Sequence, residues 1–295
     1  MRLMLKISGA AQAALCSLFV FSVGGVALQA QQAEHLDQKA LLQQTRQAYY
    51  VPSTRGVQGF TCNVSFDWNG VLERVSGRKI PAKNPTLVAL KSATTTVTDD
   101  YATGAVVKGV FPGGPPLAGS PVASRQKILD NLVKASLDGW NPFLSNRIFP
   151  LEGTTYRFER EPTGYRLTLE GGTFFSILDL DSKLQVTHGE SHLNGKTTEF
   201  TPEFDPSTHG WLLTSLKTVT TRTVAGLAAE TKASSSSAGA SDEGKAGDDE
   251  DKASFVYSYQ FVDDFLVPKK VIVQYGEGFE TPYELTDCTL VKAKQ

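Results

Sequence analysis

The second half of the chain is a succession of short segments in which polar and apolar residues alternate. Such alternation is typical of half-buried β-strands, and turn residues such as Pro162-Thr163-Gly164, Asn194-Gly195 and Asp205-Pro206 separate several of the segments. Short connections join strands that are antiparallel neighbours in a sheet. The sequence therefore predicts an antiparallel meander between residues 154 and 292. Its predicted strands are TTYRFERE, GYRLTLEG, FFSILDLD, KLQVTHGESHL, KTTEFTPEF, GWLLTSLKTVTTRT, SFVYSYQFV, PKKVIVQYG and PYELTDCTLVK.

One strand and two helices are predicted before the meander. Residues 59–70, GFTCNVSFDWNG, alternate strictly and end in Asn69-Gly70, which favours a strand closed by a tight turn. Residues 34–50 and 123–140 place their apolar residues at helical spacing, which predicts two amphipathic helices. The stretch 76–121 shows no comparable pattern, and no element is predicted there.

A sheet of this length must bury its apolar face against a second layer, and the two helices supply one. The sequence therefore predicts a fold of the α+β class: an open curved antiparallel β-sheet (half-barrel) with amphipathic helices on its concave side. We expect one domain, residues 31–295, with a helical and loop insertion at about 76–150.

At this point the chain resembles the LolA/LolB-like half-barrels, the periplasmic lipoprotein-sorting proteins. The resemblance lies in an exported N-terminal helix followed at once by a strand, the long meander, the element FVDDFLVPKKVIVQY at 261–275 whose proline introduces a late strand, and the final strand with its cysteine. It implies an open barrel whose concave apolar face binds acyl chains or another hydrophobic ligand. The chain is still more similar to exported bacterial proteins of unknown function that carry a WNPFL…FPL segment, here residues 140–144 and 149–151.

The N-terminus has the three parts of a secretory signal peptide. MRLMLK is basic, AALCSLFVFSVGGVAL is apolar, and small residues lead to cleavage after Ala30, with Ala27 as the alternative. A membrane span needs about 20 apolar residues, more than this run contains. Leu15 precedes Cys16, where a lipoprotein would need a small residue. We therefore expect a cleaved signal peptide at 1–30 and a periplasmic or secreted protein that does not span the membrane.

Charge is concentrated in one segment. The chain has a net charge of −2, and loss of Arg2 and Lys6 with the signal peptide changes it to −4. Residues 225–254 contain seven acids and three lysines, which also sum to −4, so the rest of the body is neutral and lacks the positive footprint of a nucleic-acid-binding protein. The same segment is too polar to form a core. It is predicted to be a disordered loop between two strands. The alternative is an acidic segment that attracts cations or a partner.

Export leaves two cysteines, Cys62 in the first predicted strand and Cys288 in the last. Exported proteins usually oxidise such a pair, so a disulfide is predicted. The alternative is two buried free thiols, because Cys62 lies on the apolar side of its strand and free cysteine packs as a small hydrophobe.

The segment VTHGESHLNGKTTEF is the one stretch with metal-binding residue types. A two-residue turn at Asn194-Gly195 pairs His192 with Thr197 and Glu190 with Glu199, and His188 then lies on the same face as His192 and both glutamates. His188 and His192 are about 13 Å apart on a regular strand, so only a bulge at Gly189 would bring them together; otherwise one histidine and the glutamates would bind a metal alone. A solvated hairpin is the favoured interpretation, and a metal site is the alternative.

Large residues on the concave side suggest a ligand pocket. Alternation places many aromatic side chains there, and each buried ring covers about 150–250 Å², which two helices need not fill. The predicted ligand-binding residues are Phe60, Val64, Phe66, Trp68, Tyr257, Tyr259 and Phe261.

The chain lacks a Gly-x-Ser-x-Gly elbow, a phosphate loop and a His-Glu-x-x-His motif, so no catalytic residue and no cofactor is predicted. The leading prediction is an exported, non-catalytic binding protein for an apolar ligand such as an acyl chain. One alternative is an envelope or surface interaction protein with a filled core. The other is a metal-dependent hydrolase built on the histidine hairpin.

Overall fold

The computed structural model describes residues 36–170, 177–193, 196–222 and 250–293. Its helices are α1 (Gln38–Gln47), α2 (Trp68–Ser76), α3 (Pro85–Ser92) and α4 (Pro121–Leu144), and a 3₁₀ turn covers Pro52–Arg55. Its strands are β1 (Val57–Phe66), β2 (Thr94–Asp100), β3 (Gly104–Val110), β4 (Thr155–Glu161), β5 (Gly164–Glu170), β6 (Ile177–Asp181), β7 (Val186–Leu193), β8 (Lys196–Ser207), β9 (Gly210–Arg222), β10 (Glu250–Val262), β11 (Phe265–Tyr275) and β12 (Thr281–Lys292).

All of these strands belong to one open antiparallel sheet with the order β3-β2-β1-β12-β11-β10-β9-β8-β7-β6-β5-β4. The chain enters the sheet at β1, continues through β2 to the edge strand β3, and then passes through α4 to the opposite edge at β4. The meander from β4 to β12 returns to β1. The predicted α+β class, with an open antiparallel sheet and a helical layer, is confirmed.

The crossing helix α4 covers the inner face of the sheet. Ser120 caps its first turn by accepting a hydrogen bond from the amide of Ala123, and Pro121 occupies the first position, where proline suits a helix. Leu129, Val133, Leu137 and Trp140 are buried at intervals of three and four residues, so they form one apolar stripe. That stripe packs against β3, β9 and β11.

Helix α1 lies over the other half of the sheet and protects an edge. Asp37 caps it by accepting a hydrogen bond from the amide of Ala40. The side-chain amide of Gln38 donates to the carbonyl of Phe158 and accepts from the amide of Phe158. Because Phe158 lies in the edge strand β4, this pair satisfies backbone groups that would otherwise be open to another strand.

The predicted turn at Asn69-Gly70 is wrong. The carboxylate of Asp67 accepts a hydrogen bond from the amide of Gly70 and starts α2 at Trp68, because a capping aspartate satisfies the free amides of a first helical turn. Trp68 therefore belongs to a helix rather than to the preceding strand. The stretch without a prediction, 76–121, contains α3 and the two strands that complete one edge of the sheet.

Other predicted boundaries also shift. Residues 250–254, assigned to the acidic loop, begin β10, because Glu250, Asp251 and Lys252 pair with β9. Pro206 lies inside β8 rather than at a break, and Pro268 lies inside β11 instead of introducing it. Pro268 is tolerated there because the β10–β11 register shifts between Ser258 and Tyr259, and proline within a sheet is typical of bulges.

Some predictions fall on parts of the chain that the structure does not describe. They are the signal peptide at 1–30, the turn residues Asn194 and Gly195, and most of the acidic loop, residues 225–249. Among the helices in the described ranges, none combines the length and the apolar character needed to cross a bilayer.

Cys62 and Cys288 form the predicted disulfide, with their sulfur atoms 2.02 Å apart. The bond joins the neighbouring strands β1 and β12 at a bulge, since Thr61 faces Thr289 but Asn63 faces Thr286. It therefore ties the first strand of the sheet to the last, across 226 positions of sequence.

Candidate functional site

Helix α4 occupies most of the predicted apolar pocket. The indole of Trp140 is fully buried and lies 6.0 Å from the ring of Phe60 and 6.4 Å from that of Tyr257. The indole N–H donates to the hydroxyl of Tyr259 at 2.9 Å, and the hydroxyl of Tyr257 donates to the carbonyl of Ser136 at 2.7 Å. Phe60, Tyr257 and Tyr259 are therefore core residues that hold α4 on the sheet.

Phe261 is not on the inner face, and its assignment to the pocket was wrong. Its side chain is 74% exposed, whereas the next residue, Val262, packs against the core. Alternation in β10 holds through Phe255, Tyr257 and Tyr259 and ends before Phe261, which pairs with Leu266 beside the turn to β11.

Val64, Phe66 and Trp68 line a groove between β1 and α3, which we call the β1–α3 groove. Its volume is about 310 Å³, and Leu90 and Leu129 form its deeper wall. The rings of Phe66 and Trp68 meet edge to face at 4.7 Å. Its other lining residues are polar or small: Asn63, Ser65, Lys91, Ala93, Thr94, Thr95 and Thr286. The groove thus keeps three of the predicted residues together but offers little apolar wall.

A larger cavity lies at the C-terminal end of α1, and we call it the α1 pocket. Its volume is about 480 Å³, within the usual range for small-molecule sites. Its lining residues are Gln43, Arg46, Gln47, Tyr49, Tyr50, Val51, Thr54, Arg55, Asn146 and His209. They come from three segments that are distant in sequence: residues 43–55, which run from α1 into the 3₁₀ turn, the connection after α4, and the β8–β9 turn.

Two consecutive tyrosines fix the floor of the α1 pocket. Tyr49 accepts a hydrogen bond from the amide of Val186 at 2.7 Å, and Tyr50 accepts one from the amide of Leu266 at 2.7 Å. The backbone is also fixed, because the amide of Tyr50 donates to the carbonyl of Trp211. Since both rings are anchored to strands, the floor is formed before any ligand arrives.

Burial raises the pKa of Tyr49 and of Tyr50. For Tyr50, the hydrogen bond from Leu266 and the charge of Arg55 oppose this rise. Both phenols stay neutral at physiological pH and present uncharged rings to the pocket. The charge inside the pocket therefore comes from Arg46 and Arg55.

The two arginines are held differently. Arg46 donates from one terminal nitrogen to the carbonyl of Pro150, while its Nε is buried without a partner. The guanidinium of Arg55 lies 4.2 Å from the centre of the Phe265 ring, a cation–π arrangement that orients its donors. Sequence patterns did not reveal this site, because its residues share neither a motif nor a strand face. The nearest signal was the Tyr49-Tyr50 pair at the end of a predicted helix.

The histidine hairpin has the predicted register, with His192 opposite Thr197 and Glu190 opposite Glu199. His192 Nε2 lies 2.8 Å from Glu190 Oε1, and His188 lies between Asp179, at 3.6 Å, and Glu199, at 3.8 Å. The bulge on this strand lies at Thr187 rather than Gly189, since Asp179 faces His188 and Leu180 faces Val186.

The two histidines of the hairpin therefore pair with different carboxylates and do not converge on one point. Across residues 36–170, 177–193, 196–222 and 250–293, no group of three or more His, Cys, Asp or Glu side chains has metal-site geometry. The metal-site alternative for His188, Glu190, His192 and Glu199 has no support in this arrangement.

Gly189→Ala is expected to destabilise the protein by about 1–3 kcal/mol, the usual cost of overpacking a core position. Gly189 faces Phe200 across the strand pair, and a Cβ at this position would overlap the Phe200 ring. Urea denaturation measures the change, with Ser191→Ala on the same strand as the control. Equal stability of the two variants would contradict the close packing of Phe200 on Gly189.

A buried polar cluster lies between β2 and α4. Asn141 donates from its side chain to one carboxylate oxygen of Asp99 at 2.8 Å. The other Asp99 oxygen, the Asn141 side-chain oxygen and the Tyr101 hydroxyl are buried without a partner. Burial raises the pKa of Asp99 to about 7, and the carboxylates of Asp138 and Asp100 add to this rise. The cluster is closed to solvent, so it bears on stability rather than on ligand binding.

No protein-family model matches the chain, and neither the curated proteins nor the solved structures include a significant match to it.

Proposed function

We propose that the protein binds a small apolar ligand without transforming it, and that the α1 pocket is the binding site. The observation that supports this proposal is a cavity of about 480 Å³, with an aromatic floor, that α4 does not fill. Ligand sites are typically concave, largely pre-formed and lined by aromatic groups with a few polar ones. The expected export of the chain places this function in the periplasm or outside the cell.

The construction of the floor favours binding with little rearrangement. Tyr49 and Tyr50 are 3% and 2% exposed, and their hydroxyls are already bonded to β7 and β11. A ligand would contact the small part of these rings and of Val51 that is exposed, which costs little side-chain entropy because the rings are fixed. An acyl chain or a single aromatic system matches the apolar ligand that the resemblance to LolA/LolB-like half-barrels implies.

A neutral fluorescent probe tests this proposal. Phenylnaphthylamine should bind the exported protein saturably with a stoichiometry near one, and Gln47→Trp should weaken binding at least tenfold, because an indole at position 47 fills the pocket. Gln44→Trp is the matched control: Gln44 lies on the same helix and is exposed, but it does not line the pocket. Absence of saturable binding, or equal effects of the two variants, would overturn the proposal.

A filled inner face favours a second candidate function, that of an envelope or surface interaction protein. Trp140 is fully buried against Phe60, Tyr257 and Tyr259, so the sheet in this region is closed by a helix rather than open to a ligand. Failure of the neutral probe to bind would favour this candidate. Saturable binding that responds to Gln47→Trp would favour the first.

A further inference from the structure

The α1 pocket has an uncompensated positive charge. Its ten lining residues include two arginines and a histidine but no aspartate or glutamate. Some surface cations elsewhere in the described ranges stand beside carboxylates, as Lys134 does with Asp138 and Arg166 with Asp179. Within those same ranges, neither Arg46 nor Arg55 forms such an ion pair, and the interactions they do make are with a carbonyl and an aromatic ring.

Two buried polar atoms of the pocket residues lack partners. The Nε–H of Arg46 is a donor without an acceptor, and the side-chain oxygen of Asn146 is an acceptor without a donor. Asn146 is also held in a left-handed backbone conformation, with φ of 55°. A buried donor left unbonded is costly, so a rotation of the Arg46 side chain that brings this Nε–H to a ligand oxygen would be favourable.

Arg55 is suited to bind the same group. Its guanidinium lies against Phe265, and a stacked guanidinium is pre-organised to present its donors to a planar or tetrahedral oxyanion. Arg46 and Arg55 both line the α1 pocket. Tyr49 and Tyr50, which also line it, lie between them in the sequence. The pocket thus combines donors of positive charge with an apolar floor.

We propose that the ligand of the α1 pocket is an amphipathic anion: an apolar body on Tyr49, Tyr50 and Val51, and one oxyanion group bound by Arg46 and Arg55. This inference rests on the proposed function, because it specifies the class of ligand for the same site. The oxyanion is a carboxylate, sulfonate or phosphate attached to the apolar body. The two parts are both required, since an isolated small anion would leave the aromatic floor uncovered.

Two probes that differ in charge test the inference. Anilinonaphthalene sulfonate is anionic and phenylnaphthylamine is neutral, while their aromatic bodies are similar. We expect the sulfonate to bind the wild-type protein about tenfold more tightly, as one charge-assisted contact is worth roughly that factor. Added salt should weaken the binding of the sulfonate probe only, because ionic screening acts on charged groups. Acetate or inorganic phosphate should compete only at concentrations far above that of the probe.

Arginine variants assign the effect to the pocket. Arg55→Gln and Arg46→Gln should each weaken binding of the sulfonate about tenfold and weaken binding of the neutral probe far less, whereas Arg55→Lys should retain part of the preference. Arg74→Gln is the matched control, since Arg74 is an exposed arginine of α2 that does not line the pocket. Because Arg46 also contacts Pro150, melting curves must show that each variant is folded.

The outcomes separate the two proposals. If both probes bind equally and Arg55→Gln changes neither affinity, the anionic class is wrong while the proposed function survives. Tight competition by acetate or phosphate alone would replace the amphipathic ligand with a free anion, which overturns the inference. If neither probe binds, the proposed function itself fails.

Discussion

At pH 8, Asp99→Asn is expected to raise the free energy of unfolding by about 2–3 kcal/mol more than it does at pH 5. Asp99 is fully buried, and burial raises the pKa of its carboxyl to about 7 from an ordinary value of 3.8. Between about pH 4 and pH 7 the folded protein keeps a proton that the unfolded chain has lost, so stability falls as pH rises through this window and levels off above it. Asparagine carries no such proton, so the stability of the variant does not fall in this pH window.

Urea denaturation at pH 5 and pH 8 measures the effect of Asp99→Asn. The asparagine amide can also donate to the side-chain oxygen of Asn141, which is buried without a partner, and this contribution is the same at both pH values. Asp205→Asn is the control, because it removes the same charge from an exposed site. Parallel stability profiles for wild type and Asp99→Asn between pH 5 and pH 8 would show that Asp99 is ionised throughout.

Loss of the disulfide is expected to destabilise the protein by up to about 5 kcal/mol, the entropic effect of closing a very long loop in the unfolded chain. Cys62 and Cys288 are separated by 226 positions, so nearly the whole described sheet lies inside the loop. Reduction, or the double variant Cys62→Ala and Cys288→Ala, should lower the melting temperature by roughly 10 °C or more for a domain of this size.

Differential scanning calorimetry of the oxidised and reduced protein measures this effect, and the double variant treated with the same reductant is the control. Its melting temperature should not respond to reduction. Thiol titration of the exported protein, unfolded without reductant, should find no free thiol. Two free thiols, or a melting temperature that is unchanged by reduction, would contradict the bond.

The strands of the meander were predictable because their inward positions are large and apolar. In β10, for example, Phe255 and Tyr257 are buried while Val256 is exposed. The two strands that were missed, β2 and β3, break this rule. In β2 the inward positions are Thr95, Val97 and Asp99, of which two are polar. No count of alternating apolar residues identifies such a strand.

Close packing of α4 explains the composition of β3. Ala105 is its buried residue, and a Cβ added at Gly109 would press on Gln126. Small residues are needed here because the helix lies close to the backbone of the edge strand. The packing of α4 also fills most of the predicted pocket, because Trp140 occupies the space in front of Phe60, Tyr257 and Tyr259.

Local sequence by itself determined the strands with large inward residues and both amphipathic helices, because periodicity acts within short segments. It also determined the pairing of the two cysteines that follow the predicted signal peptide, because export chemistry acts on residue type alone. Only the tertiary structure decided which aromatic residues face a cavity and which face a helix. It also assembled Arg46, Arg55, Asn146 and His209 around Tyr49 and Tyr50. Those residues meet because α4 crosses the sheet and the meander returns beneath α1, and contacts between distant segments leave no periodic trace in the sequence.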